Sequence, residues 1–425
     1  LVAGQQVGIG GGPLYTLAKI ASLLRLKRDL ESRGVPATAM FWMATEDHDF
    51  AEVSEIRLHA PEPVSPIRAH QAHQERRIVG PMILPDELAA RLRAALGLST
   101  AEWLEPGISF RDSFARLIRK VAGSGSLVLI DALLPELRRA GKDLLLEMAR
   151  NLDQVESAID ARGRLLADQG YRPQVGRSED GHYSLLFRID EQGIRHPLRA
   201  PHAAELVASD PAVISTGALA RPLLQDFVFG SDVFVGGPAE VTYAAQLGEV
   251  YAAMNVNQPH IALRGHILIA PDKVLHAAVK YQLDASELLD PVEQIILRRE
   301  RDDVARVARR VEAMRAHLLE GVAEVRDLVT GADPTLGRSI DRTSRRILYH
   351  CDKLEQRSKR ALARRDHERH RAIERLSGTL MPGGVPQDRI IGWIGWWSLY
   401  GPRLLETMIE EIRPDQPVLR IAGLK

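Results

Sequence analysis

The sequence predicts an α/β protein with an antiparallel helical hairpin toward its C-terminal end. Three observations predict it. Leu1-Val2-Ala3-Gly4 reads as a strand that enters the glycine-rich segment Gly8-Ile9-Gly10-Gly11-Gly12-Pro13 and then an amphipathic helix. Thr38-Ala39-Met40-Phe41-Trp42-Met43-Ala44 and Ser126-Leu127-Val128-Leu129-Ile130-Asp131 are short apolar runs without alternation, as parallel strands covered on both faces require. Val304, Val307, Val311, Met314 and Leu318 step by three and four among charged residues, the seam of a coiled coil.

The elements follow in order. Leu14 to Arg33 places Leu17, Ile20, Ala21 and Leu24 at helical spacing, and Pro13 suits the first turn. With the strands on either side this is a βαβ unit. Residues 56–85 are Pro-rich and irregular, and a long helical stretch is expected from about Pro135 to Gln169. His182 to Leu198 reads as a hairpin around Glu191-Gln192-Gly193. Val233-Phe234-Val235, a glycine turn and a helix from about Glu240 to Met254 repeat the opening device, and residues 261–270 read as a last core strand. The hairpin breaks at Thr330-Gly331-Ala332-Asp333-Pro334-Thr335 and returns through Leu336, Ile340, Ile347, Cys351 and Leu354. After Pro382-Gly383-Gly384-Val385-Pro386, a helix with Trp393, Trp396 and Trp397 closes the fold. The expected domains are 1–285, a core with insertions at about 56–120 and 135–210; 286–380, the hairpin; and 381–425, a tail that packs back on the core.

Composition excludes several functions. The chain has 425 residues, and Lys+Arg and Asp+Glu balance at 56 each. A neutral chain is not organised around nucleic acid or an anionic membrane. One cysteine, Cys351, permits no intramolecular disulfide and fits a reducing compartment, so the cytoplasm is expected. No apolar run reaches the ~18 residues of a membrane span. The chain starts inside an ordered element without an initiator Met, so residues upstream are expected.

Four segments can carry chemistry. The loop through Gly4, Gln5, Gln6, Gly8, Gly11 and Gly12 to Tyr15 suits a phosphate or carboxylate, because glycines let backbone N–H groups approach an anion at a helix N-terminus. It also serves as a tight strand-to-helix turn. Glu46-Asp47-His48-Asp49 follows the second strand, where a doubly wound sheet opens its crevice. An imidazole among carboxylates suits proton transfer, amine binding or a metal, although no second ligand cluster is visible and no metal site is expected. The same residues fit a helix cap, with Asp49 at the cap and Glu52 three later. Ser215 to Pro222, with Thr216, Arg221 and Gln225, reads first as a cap. Gly236, Gly237, Glu240 and Tyr243 form the second strand–glycine–helix turn. Arg264 and His266 interrupt an apolar strand, where Arg264 is either in a buried ion pair or an anion contact. Cys351 sits on the hairpin seam as packing.

Together these segments resemble the bacillithiol-biosynthesis cysteine-adding enzymes, the BshC family. The resemblance runs in order through Gly4-Gln5-Gln6, Gly12-Pro13-Leu14-Tyr15-Thr16, Phe41-Trp42, Glu46 to Phe50, Ser215 to Ala218, Arg221-Pro222, Gln225-Asp226, Val235 to Pro238, Glu240, Tyr243, Gln246-Leu247, Pro382 to Gln387, Arg389 and Tyr400-Gly401. Gly11 stands where the family carries threonine, Gln387-Asp388-Arg389 with Gly392 where it carries Gln-Glu-Arg and a later asparagine, and Leu263 where it carries proline. The family's N-terminal helical segment has no counterpart in this sequence.

The resemblance implies a Rossmann-like, nucleotidylyltransferase-type core with connecting insertions and a C-terminal coiled coil that forms a homodimer. It implies a ligase that joins cysteine to the amine of glucosaminyl-malate, with His48 and its neighbouring acids acting on an ammonium. Amide formation in water is uphill, so a nucleotide, ATP or ADP, is expected, with Mg2+ as its companion ion and no redox cofactor. Neither a membrane nor a nucleic acid is an expected partner. Two other readings stay open: a different nucleotide-dependent ligase or nucleotidyltransferase on this scaffold, and a non-catalytic coiled-coil adaptor.

Overall fold

The computed structural model describes residues 1–59, 66–69, 75–123, 125–284, 286–330, 333, 336–416 and 419–424. The chain forms two compact units, Leu1–Ile269 with Gln387–Leu424, and residues 270–386. No helix among the described residues is long and apolar enough to cross a membrane.

The first unit is built on five parallel strands: β1 (Val2–Gln5), β2 (Met40–Met43), β3 (Val128–Asp131), β4 (Val233–Gly236) and β5 (His260–Leu263). Their order across the sheet is β5-β4-β1-β2-β3. In β2, Phe41 and Met43 enter one apolar core and Trp42 enters the other. Both faces are covered, so the strand shows no polar alternation. The chain runs outward from β1 to β2 and β3, then restarts beside β1 with β4 and β5. This reversal between β1 and β4 opens a crevice at their carboxyl ends.

Helix α1 (Leu14–Glu31) follows β1 and buries Leu14, Leu17, Ala18, Ile20, Ala21 and Leu23. Helix α2 (Arg221–Phe229) and the seven-residue helix α3 (Pro238–Ala244) approach the crevice from the β4 side. A separate antiparallel sheet of Arg195–Pro197, Leu186–Ile189 and Ile214–Thr216 forms the expected hairpin with one more strand.

Some expected elements divide. The stretch from Pro135 to Gln169 is three helices, Pro135–Ala140, Lys142–Arg150 and Leu152–Asp168. At the first joint a Cβ on Gly141 would lie 2.1 Å from Leu224. The stretch from Glu240 to Met254 is α3 and a second helix, Gly248–Ala253. Residues 261–270 are not one strand. They split at Arg264-Gly265 into β5 and His266–Pro271, which pairs with Leu419–Leu424. Glu55–Ile56 pairs with Ile67–Arg68 in the Pro-rich region, and residues 60–65 and 70–74 of that region lie outside the described ones.

The C-terminal segment returns to the first unit. Gln387 Nε2 donates to Ile269 O at 3.1 Å and its Oε1 accepts from Ile269 N at 2.8 Å. Helix α4 (Trp393–Tyr400) buries Trp393 and Trp396 fully.

In the second unit, helices Val292–Thr330 and Gly337–Leu380 run antiparallel. Asp303 pairs with Arg369 at 2.6 Å, Arg315 with Asp352 at 2.5 Å and Arg326 with Asp341 at 2.9 Å. The expected break at Thr330–Thr335 falls largely outside the described residues. The expected seam is corrected in part: Val311 and Cys351 are buried, but Val304, Met314, Leu318, Leu336 and Leu354 are exposed, as is Val325 further along the first helix. The two helices bury one narrow stripe and leave those apolar side chains uncovered.

Candidate functional site

A cavity of about 510 Å³ occupies the crevice. Twelve of the expected residues line it: Gly4, Gln5, Gln6, Tyr15, Glu46, Asp47, Thr216, Arg221, Gly237, Glu240, Tyr243 and Arg264. Gly4 packs closely in β1, where a Cβ would lie 3.0 Å from Trp42 O and 3.1 Å from Trp42 Cβ.

Lys19 of α1 ties the two sides of the crevice together. Its Nζ donates to Gly4 O and Gln5 Oε1, each at 2.8 Å, and pairs with Glu240 Oε2 at 2.5 Å. That oxygen also accepts from Gly237 N at 2.8 Å. All three ammonium protons are used, and burial pulls the Lys19 pKa down. Arg264 Nη2 donates to Asp388 Oδ2 at 2.7 Å with both residues buried, so the ion pair is the reading the structure supports.

Three other guanidinium groups line the cavity with no carboxylate at ion-pair distance among the described residues. Arg221 donates from Nη1 to Gln225 Oε1 at 3.1 Å and from Nη2 to the Tyr243 hydroxyl at 2.8 Å; burial pushes Tyr243 up to about 12. Arg195 Nη2 donates to Thr216 O at 2.8 Å, and its buried Nε has no partner among the described residues. Arg389 is exposed at the cavity and makes no hydrogen bond or ion pair among the described residues.

The acidic cluster divides its roles. Glu46 is buried, with Oε2 accepting from Arg138 Nη2 at 3.0 Å and Oε1 from Thr216 Oγ1 at 3.1 Å. Both oxygens are engaged, so Glu46 anchors the wall. Asp49 caps the helical turn Phe50–Val53, its Oδ1 accepting from Glu52 N at 3.1 Å. His48 does not line the cavity; its Nδ1 lies 3.0 Å from Arg195 Nη1. A guanidinium can only donate, so Nδ1 is the acceptor and the ring proton sits on Nε2. Burial, then Arg195, lowers its pKa. The lone pair that a general base needs is occupied, so His48 holds Arg195.

Asp47 and Glu52 face the cavity with neutral hydrogen-bond partners. Asp47 Oδ2 accepts from Gln6 Nε2 at 2.9 Å and Oδ1 from His48 N at 2.7 Å. Glu52 Oε1 accepts from Gln5 Nε2 at 3.3 Å and the Tyr15 hydroxyl at 3.4 Å. Burial, then the charges of Asp47 and Asp49, raise the Glu52 pKa, and burial followed by Glu52 raises that of Tyr15.

The glycine loop is corrected. Gly8, Gly11 and Gly12 do not line the cavity. Gly10, Gly11 and Gly12 have φ of 59°, 83° and 79°. Trp393 Nε1 donates to Gly11 O at 2.9 Å, and a Cβ on Gly11 would lie 2.1 Å from the indole. Gly11 admits a tryptophan ring from α4, while Gly10 faces Ile56 and Ile394 and Gly12 faces Thr16. Gly236 packs on Phe234 and Glu240, and Gln225 lies fully buried behind Arg221. Sequence reasoning missed Lys19, Glu52, Arg195 and Arg389 as lining residues. Glu52 was visible only as part of a cap and Arg389 only within a tail motif. Lys19 and Arg195 carried no local signal.

The comparisons agree along the chain. The family description "Bacillithiol biosynthesis BshC, N-terminal Rossmann-like domain" matches residues 1–265, and "Bacillithiol biosynthesis BshC, C-terminal coiled-coil domain" matches residues 267–421. A relative from Solibacter usitatus, named "Putative cysteine ligase BshC", is 30% identical over 97% of this chain and 82% of its own length. Relatives of the same name from Koribacter versatilis and Salinibacter ruber are 28% and 27% identical, over 99% and 100% of this chain and 84% and 82% of theirs. The chain, with its Rossmann-like sheet and its helical hairpin, belongs to the BshC family of cysteine ligases.

Proposed function

We propose that this cavity joins the carboxyl group of cysteine to the amine of glucosaminyl-malate, driven by cleavage of a nucleotide. The supporting observation is the division of charge within one cavity. Arg195, Arg221 and Arg389 meet no carboxylate, while Asp47 and Glu52 meet no cation at ion-pair distance among the described residues. Such a surface takes a molecule with carboxylates together with one bearing an ammonium. Glu52, whose pKa is raised, is the group suited to remove a proton from that ammonium. The freed amine then attacks the activated cysteine carbonyl, and the activating phosphate group leaves.

A free carboxylate and an amine do not condense in water, so the nucleotide supplies the activation. Arg389, exposed at the cavity, is the residue available to its phosphates, which leaves Arg221 to a substrate carboxylate. Mg2+ would accompany those phosphates, as it does where a nucleotide supplies most of its ligands. The exposed apolar residues of the hairpin, Leu318 and Val325 among them, support a homodimer in which two hairpins cover each other.

The test is incubation with cysteine and glucosaminyl-malate, with and without ATP, followed by mass spectrometry. The amide should form only with ATP, and Glu52→Gln should lower kcat by about a hundredfold, as for a positioned base. Amide formation without a nucleotide, or a Glu52→Gln enzyme of normal turnover, contradicts the reading.

A further inference from the structure

Behind the cavity wall a line of buried polar groups runs from Arg221 into the apolar interior. Arg221 Nη1 donates to Gln225 Oε1 at 3.1 Å, and Gln225 Nε2 donates to Asp226 Oδ1 at 3.0 Å. The Tyr251 hydroxyl donates to Asp226 Oδ2 at 2.5 Å. Gln225 is fully buried, and Asp226 and Tyr251 are 4% and 3% exposed. Tyr251 shares its apolar core with Leu223, Leu224, Leu247 and Val250.

No cation pairs directly with Asp226 among the described residues. A carboxylate buried in this way is unfavourable for the fold, and both of its partners donate to it, whereas an amide offers only one acceptor oxygen. Its charge has a consequence further along the line. The Arg221 guanidinium only donates and the carboxylate only accepts, so the Gln225 amide gives its oxygen to Arg221 and its NH2 to Asp226, and the charge on Asp226 strengthens the second of these bonds. Arg221 itself meets no carboxylate at ion-pair distance; the charge of Glu240, already paired with Lys19, acts on it first, and Asp226 adds a second negative charge beyond the glutamine.

We infer that Asp226 is a positioning residue for Arg221: through the Gln225 amide it holds the guanidinium at the cavity in the orientation that receives a substrate carboxylate. This rests on the reading of the cavity proposed above. Burial holds the Asp226 pKa above the usual carboxylate range. A raised carboxylate stabilises the fold only at acid pH, and that contribution is lost as pH rises through the folded value. At neutral pH the charged group opposes folding, and removing the charge should not weaken the protein. In Asp226→Asn a neutral amide oxygen replaces the charged acceptor for Gln225 Nε2, so the charge-assisted bond that anchors the Gln225 amide behind Arg221 is weakened.

The experiment is a double-mutant cycle on the full chain with Asp226→Asn, Arg221→Ala and the pair, read as kcat and KM for glucosaminyl-malate, calorimetric affinity and thermal unfolding. Asp226→Asn should raise KM about tenfold, the loss expected of a hydrogen bond to a charged group. Its kcat should stay within about twofold and its unfolding temperature should not fall. In the Arg221→Ala background it should change nothing further. A wild-type KM, a lowered unfolding temperature with kcat falling in step, or an additive double mutant overturns the inference. If Arg221→Ala itself binds normally, the reading of the cavity falls and takes this inference with it. If Asp226→Asn does not fold, Tyr251→Phe removes the hydroxyl that braces the carboxylate. It should raise KM in the same direction, and an unchanged KM overturns the inference.

Discussion

Gly11→Ala separates a packing role for the glycine loop from a ligand-binding one. The residue has a φ of 83°, which a side chain occupies at a cost of about 1–2 kcal/mol. The new Cβ would lie 2.1 Å from Trp393 Cζ2. Trp393 is fully buried and must move as a rigid ring, an overpacking cost of about 1–3 kcal/mol. Moving it also breaks the 2.9 Å bond from Nε1 to Gly11 O, worth about 1 kcal/mol. The expected loss is about 3–6 kcal/mol, a large share of the ~5–15 kcal/mol typical of a domain. Urea unfolding followed by tryptophan fluorescence measures it, with calorimetric affinity for cysteine, glucosaminyl-malate and ATP measured on the folded protein. The midpoint should fall sharply while affinity in the remaining folded protein is kept. An unchanged midpoint with lost affinity would refute the packing argument.

Gly237→Ala should behave in the opposite way. At φ −75° its Cβ meets Glu240 and Arg264 only at 3.5 and 3.7 Å, so KM should rise with little change in the unfolding midpoint; a collapse in stability would contradict this. His48 and His266 both have pKa values lowered first by burial. The unfolded chain therefore takes up protons near pH ~6.5 while the folded rings stay neutral, and stability should drop as pH falls below that point. His48→Gln should flatten the drop in urea midpoints, and an unchanged slope would count against it. Leu318→Glu with Val325→Glu should convert the proposed homodimer to folded monomers in light scattering, because these side chains are exposed on the hairpin. A monomeric unmutated protein would remove the dimer. Val311→Glu should instead damage the hairpin itself, since Val311 is already buried there.

What was legible in the sequence was local. The apolar runs of β1, β2 and β3 and the turn from β1 into α1 are read from neighbouring residues, and so is the capping by Asp49. What was not legible depends on contacts between distant residues. Lys19 sits in the apolar half of a helix, and its meaning comes from Glu240 on the other side of the crevice. Arg264 meets Asp388, and Trp393 meets Gly11 across 382 positions of sequence. Glycine richness marks a close approach to the backbone, but it does not say whether a phosphate or an indole approaches. His48 looked like a base because its lone pair is free in the sequence; Arg195 occupies it in the fold. The heptad pattern located both hairpin helices, yet a two-helix hairpin buries fewer of its positions than the pattern supplies.

The central claim is that one cavity, at the carboxyl ends of β1 and β4, receives both substrates. Crystals soaked with cysteine and glucosaminyl-malate test it most directly. Malate carboxylates should lie against Arg221 and an amine within hydrogen-bond reach of Asp47 or Glu52. Density for either substrate at the Gly8–Gly12 turn, or outside the cavity altogether, would contradict it.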